Sequence, residues 1–145
     1  MTPDALADLH RRCFTLPPPW SEQDFAGFLA DPQSCLVSRA TGNDLLAFAL
    51  FRIVLDEAEL LTLATAPEVR RKGLARSLLA EGLARVQARG ARACFLEVAA
   101  GNRAAIALYQ EQSFAKVGER PAYYRSPELP PQDALVFRAA LQDPV

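Results

Sequence analysis

The segment that most restricts the fold runs from Ala58 to Leu83, AELLTLATAPEVRRKGLARSLLAEGL, because the hydrophobic period changes inside it. Up to Thr65 the residues are mostly apolar, with Leu60, Leu61 and Leu63 among them, which predicts a buried strand closed at Pro67. After Val69, the residues Ala75, Leu78, Leu79, Gly82, Leu83 and Val86 take the spacing of one helix face, and Gly90 stands where that helix should stop. Between strand and helix lies a basic loop, Arg70-Arg71-Lys72-Gly73-Leu74-Ala75-Arg76. The first N–H groups of a helix lack internal partners and sit at the positive end of its dipole, so such a loop suits an anion. Gly73 would let a ligand approach the backbone, and small Ala75 would keep that approach open. Neither the two-glycine loop of nucleotide hydrolases nor the three-glycine dinucleotide fingerprint is present. A solvated helix cap has the same composition, so these residues alone leave both readings open.

The chain has 145 residues, which predicts one domain over 1–145 with a core of its own. Its 16 basic and 17 acidic residues nearly cancel, so no overall field draws it to nucleic acid or anionic lipid. No apolar run approaches the roughly 18 residues of a membrane span, and no signal-like segment opens the chain, so a cytoplasmic location is expected. Cys13, Cys35 and Cys94 are odd in number and widely spaced, which argues against disulfides or a zinc site and for small buried apolar roles.

A helix is expected from Asp4 to Cys13, then extended chain over Leu16-Pro17-Pro18-Pro19-Trp20. Ser21 is placed to cap a second helix, with Asp24 at the capping-box position, Phe25, Phe28 and Leu29 as its apolar stripe, and Asp31-Pro32 as its stop. Trp20 is read as core, with a substrate lip as the alternative. Strands at Cys35–Val37 and Leu45–Leu55 flank the turn Thr41-Gly42-Asn43-Asp44, and Asp56-Glu57 makes the next turn. Ala93–Ala99 reads as a strand, which with the Ala58 strand and the intervening helix predicts a parallel pair. Asn102 should cap a helix over Arg103–Gln112, Phe114–Gly118 starts a late strand, Ala134–Ala139 makes the last, and the proline-rich Ser126–Pro131 is expected as a surface loop.

Two residues in this second half carry chemistry. Glu97 lies among apolar strand neighbours, sharing a face with Phe95 and Ala99. A carboxylate there is costly unless paired, so it either pairs with a cation such as Arg52 or Arg92, or serves as a general base tuned by partial burial. Tyr109 falls in the helix after Asn102, where its ring could simply be core. The only histidine, His10, sits in the first helix, which leaves a histidine-dependent nucleophile or a metal hydrolase hard to build.

The pattern Arg-x-x-Gly-x-Ala at Arg70–Ala75, together with Leu96-Glu97-Val98 and Asn102 to Tyr109 followed by Phe114, resembles the core of the GNAT superfamily of N-acetyltransferases. Pro19-Trp20-Ser21-Glu22, Glu57-Ala58-Glu59-Leu60-Leu61 and Tyr123-Tyr124 extend the resemblance to its bacterial RimI-type branch, the ribosomal-protein alanine N-acetyltransferases. The resemblance implies a mixed α/β domain, with a central, mostly antiparallel sheet containing one parallel pair and flanked by helices. It implies acetyl-CoA as cosubstrate, no metal, and as acceptor the N-terminal α-amine of a protein, alanine of a small-subunit ribosomal protein, with the enzyme a monomer or weak dimer. Glu97 would accept the amine proton and Tyr109 would protonate the departing thiolate. Leu63, Ala64 and Thr65 would line the acetyl-pantetheine arm, Arg70, Arg71, Lys72, Gly73, Leu74, Ala75 and Arg76 would hold the pyrophosphate, and Asn102 would also touch the cofactor. Rival implications are a lysine or small-amine acetyltransferase and a non-catalytic acetyl-CoA sensor. The chain departs from the pattern at Ala99, at Pro121-Ala122 and at Ser113, where the family usually has glycine; if that position needs a positive φ, Ser113 is strained.

Overall fold

The computed structural model describes residues 1–14 and 18–141. Leu16 and Pro17 of the expected extended stretch lie outside the described residues, and Pro18–Trp20 takes no regular secondary structure. The described elements are α1 (Pro3–Cys13), α2 (Glu22–Ala30), β1 (Ser34–Thr41), β2 (Asp44–Val54), β3 (Glu57–Thr65), a short 3₁₀ turn (Pro67–Val69), α3 (Leu74–Ala88), β4 (Ala93–Ala99), α4 (Arg103–Glu111), β5 (Ala115–Ser126) and β6 (Leu129–Ala140).

The six strands form one sheet in the order β1-β2-β3-β4-β6-β5. Only β3 and β4 run parallel; the other neighbours are antiparallel. The sheet is covered on both faces over β2, which explains why Ala47 to Phe51 are all fully buried. Because side chains alternate along a strand, Phe48 and Leu50 join the core under α1 and α2 with Leu6, Leu9 and Phe25. Ala47, Ala49 and Phe51 join the core under α3 and α4 with Leu78, Leu79, Val86 and Leu96. The predicted face of α3 is the one that packs, and Gly82 is required on it. A Cβ built there would lie 2.1 Å from the buried Phe51 ring.

Helix ends follow the expected chemistry. Ser21 and Asp24 form a reciprocal capping box on α2, and the Ala105 N–H donates to Asn102 Oδ1 at 3.2 Å on α4. Ser113, after α4, has φ 70°, so the strain expected for a non-glycine residue there is present.

Three expectations are corrected. The β2–β3 turn sits one residue earlier, because Val54 pairs with Glu57 and Leu55 takes φ 58°. Ser126–Pro131 is no loop. β5 and β6 continue through it as a hairpin, closing with Ser126 opposite Leu129 and turning at Pro127-Glu128. The prolines are tolerated because β4 pairs with β6 only from Ala134 onward, so this outer end of β6 has β5 alone as a neighbour and needs fewer N–H donors. Cys35 and Cys94 are buried, whereas Cys13 is only partly so, and all three thiols are free.

Candidate active site

The parallel ladder between β3 and β4 is short: Glu57 pairs with Ala93, Ala58 with Cys94 and Glu59 with Phe95, and there it ends. Two residues later β3 carries a bulge. Leu50 faces Thr62 while Phe51 faces Leu60, so Leu61 is an extra residue. A bulge bends its strand and increases the local twist, and β3 diverges from β4. From Leu60 to Thr65 the β3 backbone therefore faces a gap on its β4 side, where its polar groups have no ladder partner.

That gap is a cleft of about 1180 Å³. It is lined by Leu63, Ala64 and Thr65 of β3, by Arg70, Arg71, Gly73, Leu74, Ala75 and Arg76 at the start of α3, by Glu97 of β4, and by Asn102 and Tyr109 beside and within α4. Lys72 alone of the residues expected at the site is not among those lining it. The basic loop has the backbone an anion needs: Gly73 is in the left-handed region at φ 81° and caps α3 with no side-chain bond, and Arg71 shares that conformation at φ 67°. The first N–H groups of α3, which lack internal partners, follow directly. The cations are not equivalent. Arg70 Nε donates to the Thr65 carbonyl at 3.1 Å, and one terminal nitrogen of Arg76 reaches both Glu111 oxygens at 2.9 and 3.0 Å.

Glu97 is 28% exposed, and its Oε1 lies 3.2 Å from an Arg120 nitrogen. The partner is thus Arg120 of β5, not Arg52, which is engaged with Asp31 and Gln33 at 3.1 Å each. The Tyr109 ring is buried and packs edge-on against Phe114 at 5.9 Å between centroids. Burial holds the Tyr109 hydroxyl well above the ordinary phenol range, assisted by the negative charges Tyr124 and Cys94 would carry if ionised. The group therefore keeps its proton through neutral pH and is a donor.

Three cleft residues lay outside the expected site. Glu59 is exposed overall, yet partial desolvation of its carboxyl, and then the charge of Glu97, push its pKa up. Tyr124 is pushed up to about 12, first by burial and then by Glu97. His10 is 1% exposed; its Nδ1 accepts from the Trp20 N–H at 2.9 Å, so Nε2 donates to Thr62 Oγ1, also at 2.9 Å. Trp20 is both core and cleft wall, stacked on Phe28 and His10 while lining the opening. Tyr124 was visible as part of the Tyr123-Tyr124 pair. Glu59 lay within the Glu57-Ala58-Glu59-Leu60-Leu61 stretch of the resemblance, but strand alternation alone makes it an ordinary outward residue.

Residues 4–114 match the model of the Acetyltransferase (GNAT) family, and the chain belongs to that family of acyltransferases. Within it, the resemblance is to the RimI type. The chain is 40% identical over 107 residues to the ribosomal protein bS18-alanine N-acetyltransferase of Salmonella typhimurium, covering 73% of this chain and 71% of that one. It is 34% identical over 142 residues to the N-alpha-acetyltransferase RimI of Mycobacterium tuberculosis, covering 95% and 86%. The crystal structure of the ribosomal-protein-S18-alanine N-acetyltransferase from Escherichia coli superposes with a TM-score of 0.88 at 31% identity, over 99% of this chain and 90% of that one. Arabidopsis thaliana NAA60, solved with acetyl-CoA, shares the fold at a TM-score of 0.82 and 22% identity, over 95% of this chain and 93% of that one.

Proposed function

We propose that the protein transfers acetyl from acetyl-CoA directly to the N-terminal α-amine of a protein, alanine of a small-subunit ribosomal protein being the acceptor its relatives point to. The observation that carries this reading is that one cleft brings together a partly buried carboxylate, Glu97, and a proton-retaining phenol, Tyr109, beside a basic helix start. Arg71, Gly73, Leu74 and Ala75 would hold the pyrophosphate, with Arg70, Lys72 and Arg76 adding charge around it. The open edge of β3 from Leu63 to Thr65 would guide the pantetheine arm, and Asn102 would border it.

Glu97 takes the proton that the α-ammonium must lose. The freed nitrogen forms its bond to the thioester carbon, the carbon–sulfur bond breaks, and Tyr109 protonates the departing sulfur. An α-amine with a pKa of about 7.7 to 8.0 costs only about a kcal/mol to deprotonate at neutral pH, against several for lysine near 10.4. That difference favours an N-terminal acceptor. Glu97→Gln should lower kcat by roughly 10²- to 10⁴-fold with acetyl-CoA affinity unchanged, and Tyr109→Phe should lower it in the same way. Unchanged turnover in Glu97→Gln would remove the proposed base.

A further inference from the structure

The carboxylate Glu97 is not alone in the cleft. Glu59 pairs with Phe95 across the parallel ladder, and Phe95 and Glu97 share a strand face, so both carboxylates open on the same side of the sheet. The positive charges of Arg52 and Arg120 oppose the rise in the Glu59 pKa. Arg52 is tied down by Asp31 and Gln33. Arg120 is different: it is 56% exposed, does not line the cleft, and reaches Glu97 from the rim.

The hairpin holds Arg120 in that position. Between Arg120 and Tyr124 the β5–β6 register shifts, Ala122 takes φ 52°, and its N–H donates to Asp133 Oδ1 at 2.8 Å. Such an irregularity re-aims side chains, and here it brings Arg120, Tyr123 and Tyr124 to one end of the cleft. Arg120 is held by Tyr123 at the same time, its guanidinium carbon lying 5.2 Å from the centre of that ring. An exposed ion pair is worth only about 0 to 1 kcal/mol, and a cation over an exposed aromatic ring roughly 0.5 to 1. Giving up Glu97 while keeping the ring contact therefore costs little.

Resting on the reading of the cleft as an amine site, we infer that Arg120 is a displaceable counter-cation, occupying in the free protein the carboxylate recess of Glu97 and Glu59 that the acceptor's ammonium enters. Arg120 gives up Glu97 to the incoming cation and is retained by Tyr123, which leaves the Glu97 carboxylate free to take the acceptor's proton. It is a positioning residue that competes with the substrate. Two consequences separate it from a merely structural arginine. Arg120→Gln should lower the acceptor KM about two- to fivefold, the ratio equivalent to a weak surface pair, with kcat and the acetyl-CoA KM within about twofold of wild type. Arg120→Lys, which keeps the competing charge, should restore the wild-type KM.

A binding experiment decides the point without turnover. With CoA present, the Nε–Hε NMR signal of Arg120, assigned by its loss in Arg120→Gln, is followed on adding an alanine-terminated peptide or its Nα-acetylated form. The inference requires the signal to move with the free amine and not with the blocked one. A peptide that wild type acetylates but that leaves the signal in place, or an Arg120→Gln variant with an equal or higher acceptor KM, overturns it while the function stands. If instead a lysine peptide is the acceptor and moves the signal, the α-amine reading fails and the counter-cation survives. If no amine is acetylated or moves the signal, both fail.

Discussion

Ser113 has a φ of 70° in the turn after α4, a conformation that costs an L-residue roughly 1–2 kcal/mol and glycine almost none. Glycine's larger unfolded-state entropy returns part of that gain, so Ser113→Gly should stabilise the protein by about 1 kcal/mol, read as a higher urea midpoint at unchanged slope. His10 supplies a pH-dependent term of known sign. Desolvation lowers its pKa from 6.5 to about 4 in the folded protein, so below pH 6.5 the unfolded chain binds a proton that the folded chain refuses. Stability then falls as pH drops from 6.5 to 4, by about 3 kcal/mol from this residue, and is fully present above that window. Comparing wild type with His10→Gln across a pH series of urea titrations isolates the term; parallel pH curves would show that His10 does not titrate in this way. Protonation at Nδ1 would also break the bond it accepts from the Trp20 N–H, while Nε2 still donates to Thr62 of β3.

The junction of α3 with β2 depends on the missing side chain at Gly82. Gly82→Ala gains up to about 1 kcal/mol in helix propensity, but a Cβ 2.1 Å from the fully buried Phe51 ring forces repacking that costs typically 1–3 kcal/mol. The expected net effect is destabilisation, measured as a lower urea midpoint, and a midpoint at or above wild type would contradict the packing described. Elements whose signals are local were legible in the sequence. The change of period across Thr65–Ala75 marked β3 and α3, Ser21 and Asp24 marked the start of α2, and Asn102 marked α4. The β5–β6 hairpin was not legible, because Pro130 and Pro131 signal a loop unless it is known that β4 stops short of them. The same gap hid the partner of Glu97. Arg120 reaches it only through that hairpin and the irregularity at Ala122, contacts no sequence spacing encodes, whereas Arg52 and Arg92 were plausible on strand position alone.

The cleft itself is a property of the sheet as a whole. Neither the bulge at Leu61 nor the short parallel ladder makes a site alone. Together they part β3 from β4, leave an open strand edge between two helices, and set Glu97 and Tyr109 in the same opening. Family membership fixes the class of chemistry; on the proposed reading the amine acceptor enters beside Glu97 and the cosubstrate from the basic start of α3. No described helix is long and apolar enough to cross a membrane. The most direct test is a mass-spectrometric assay with acetyl-CoA and two peptides, one with a free N-terminal alanine, the other with that amine blocked and an internal lysine free. The account predicts acetylation of the first only; modification of the second only would contradict the α-amine assignment and make the protein a lysine acetyltransferase.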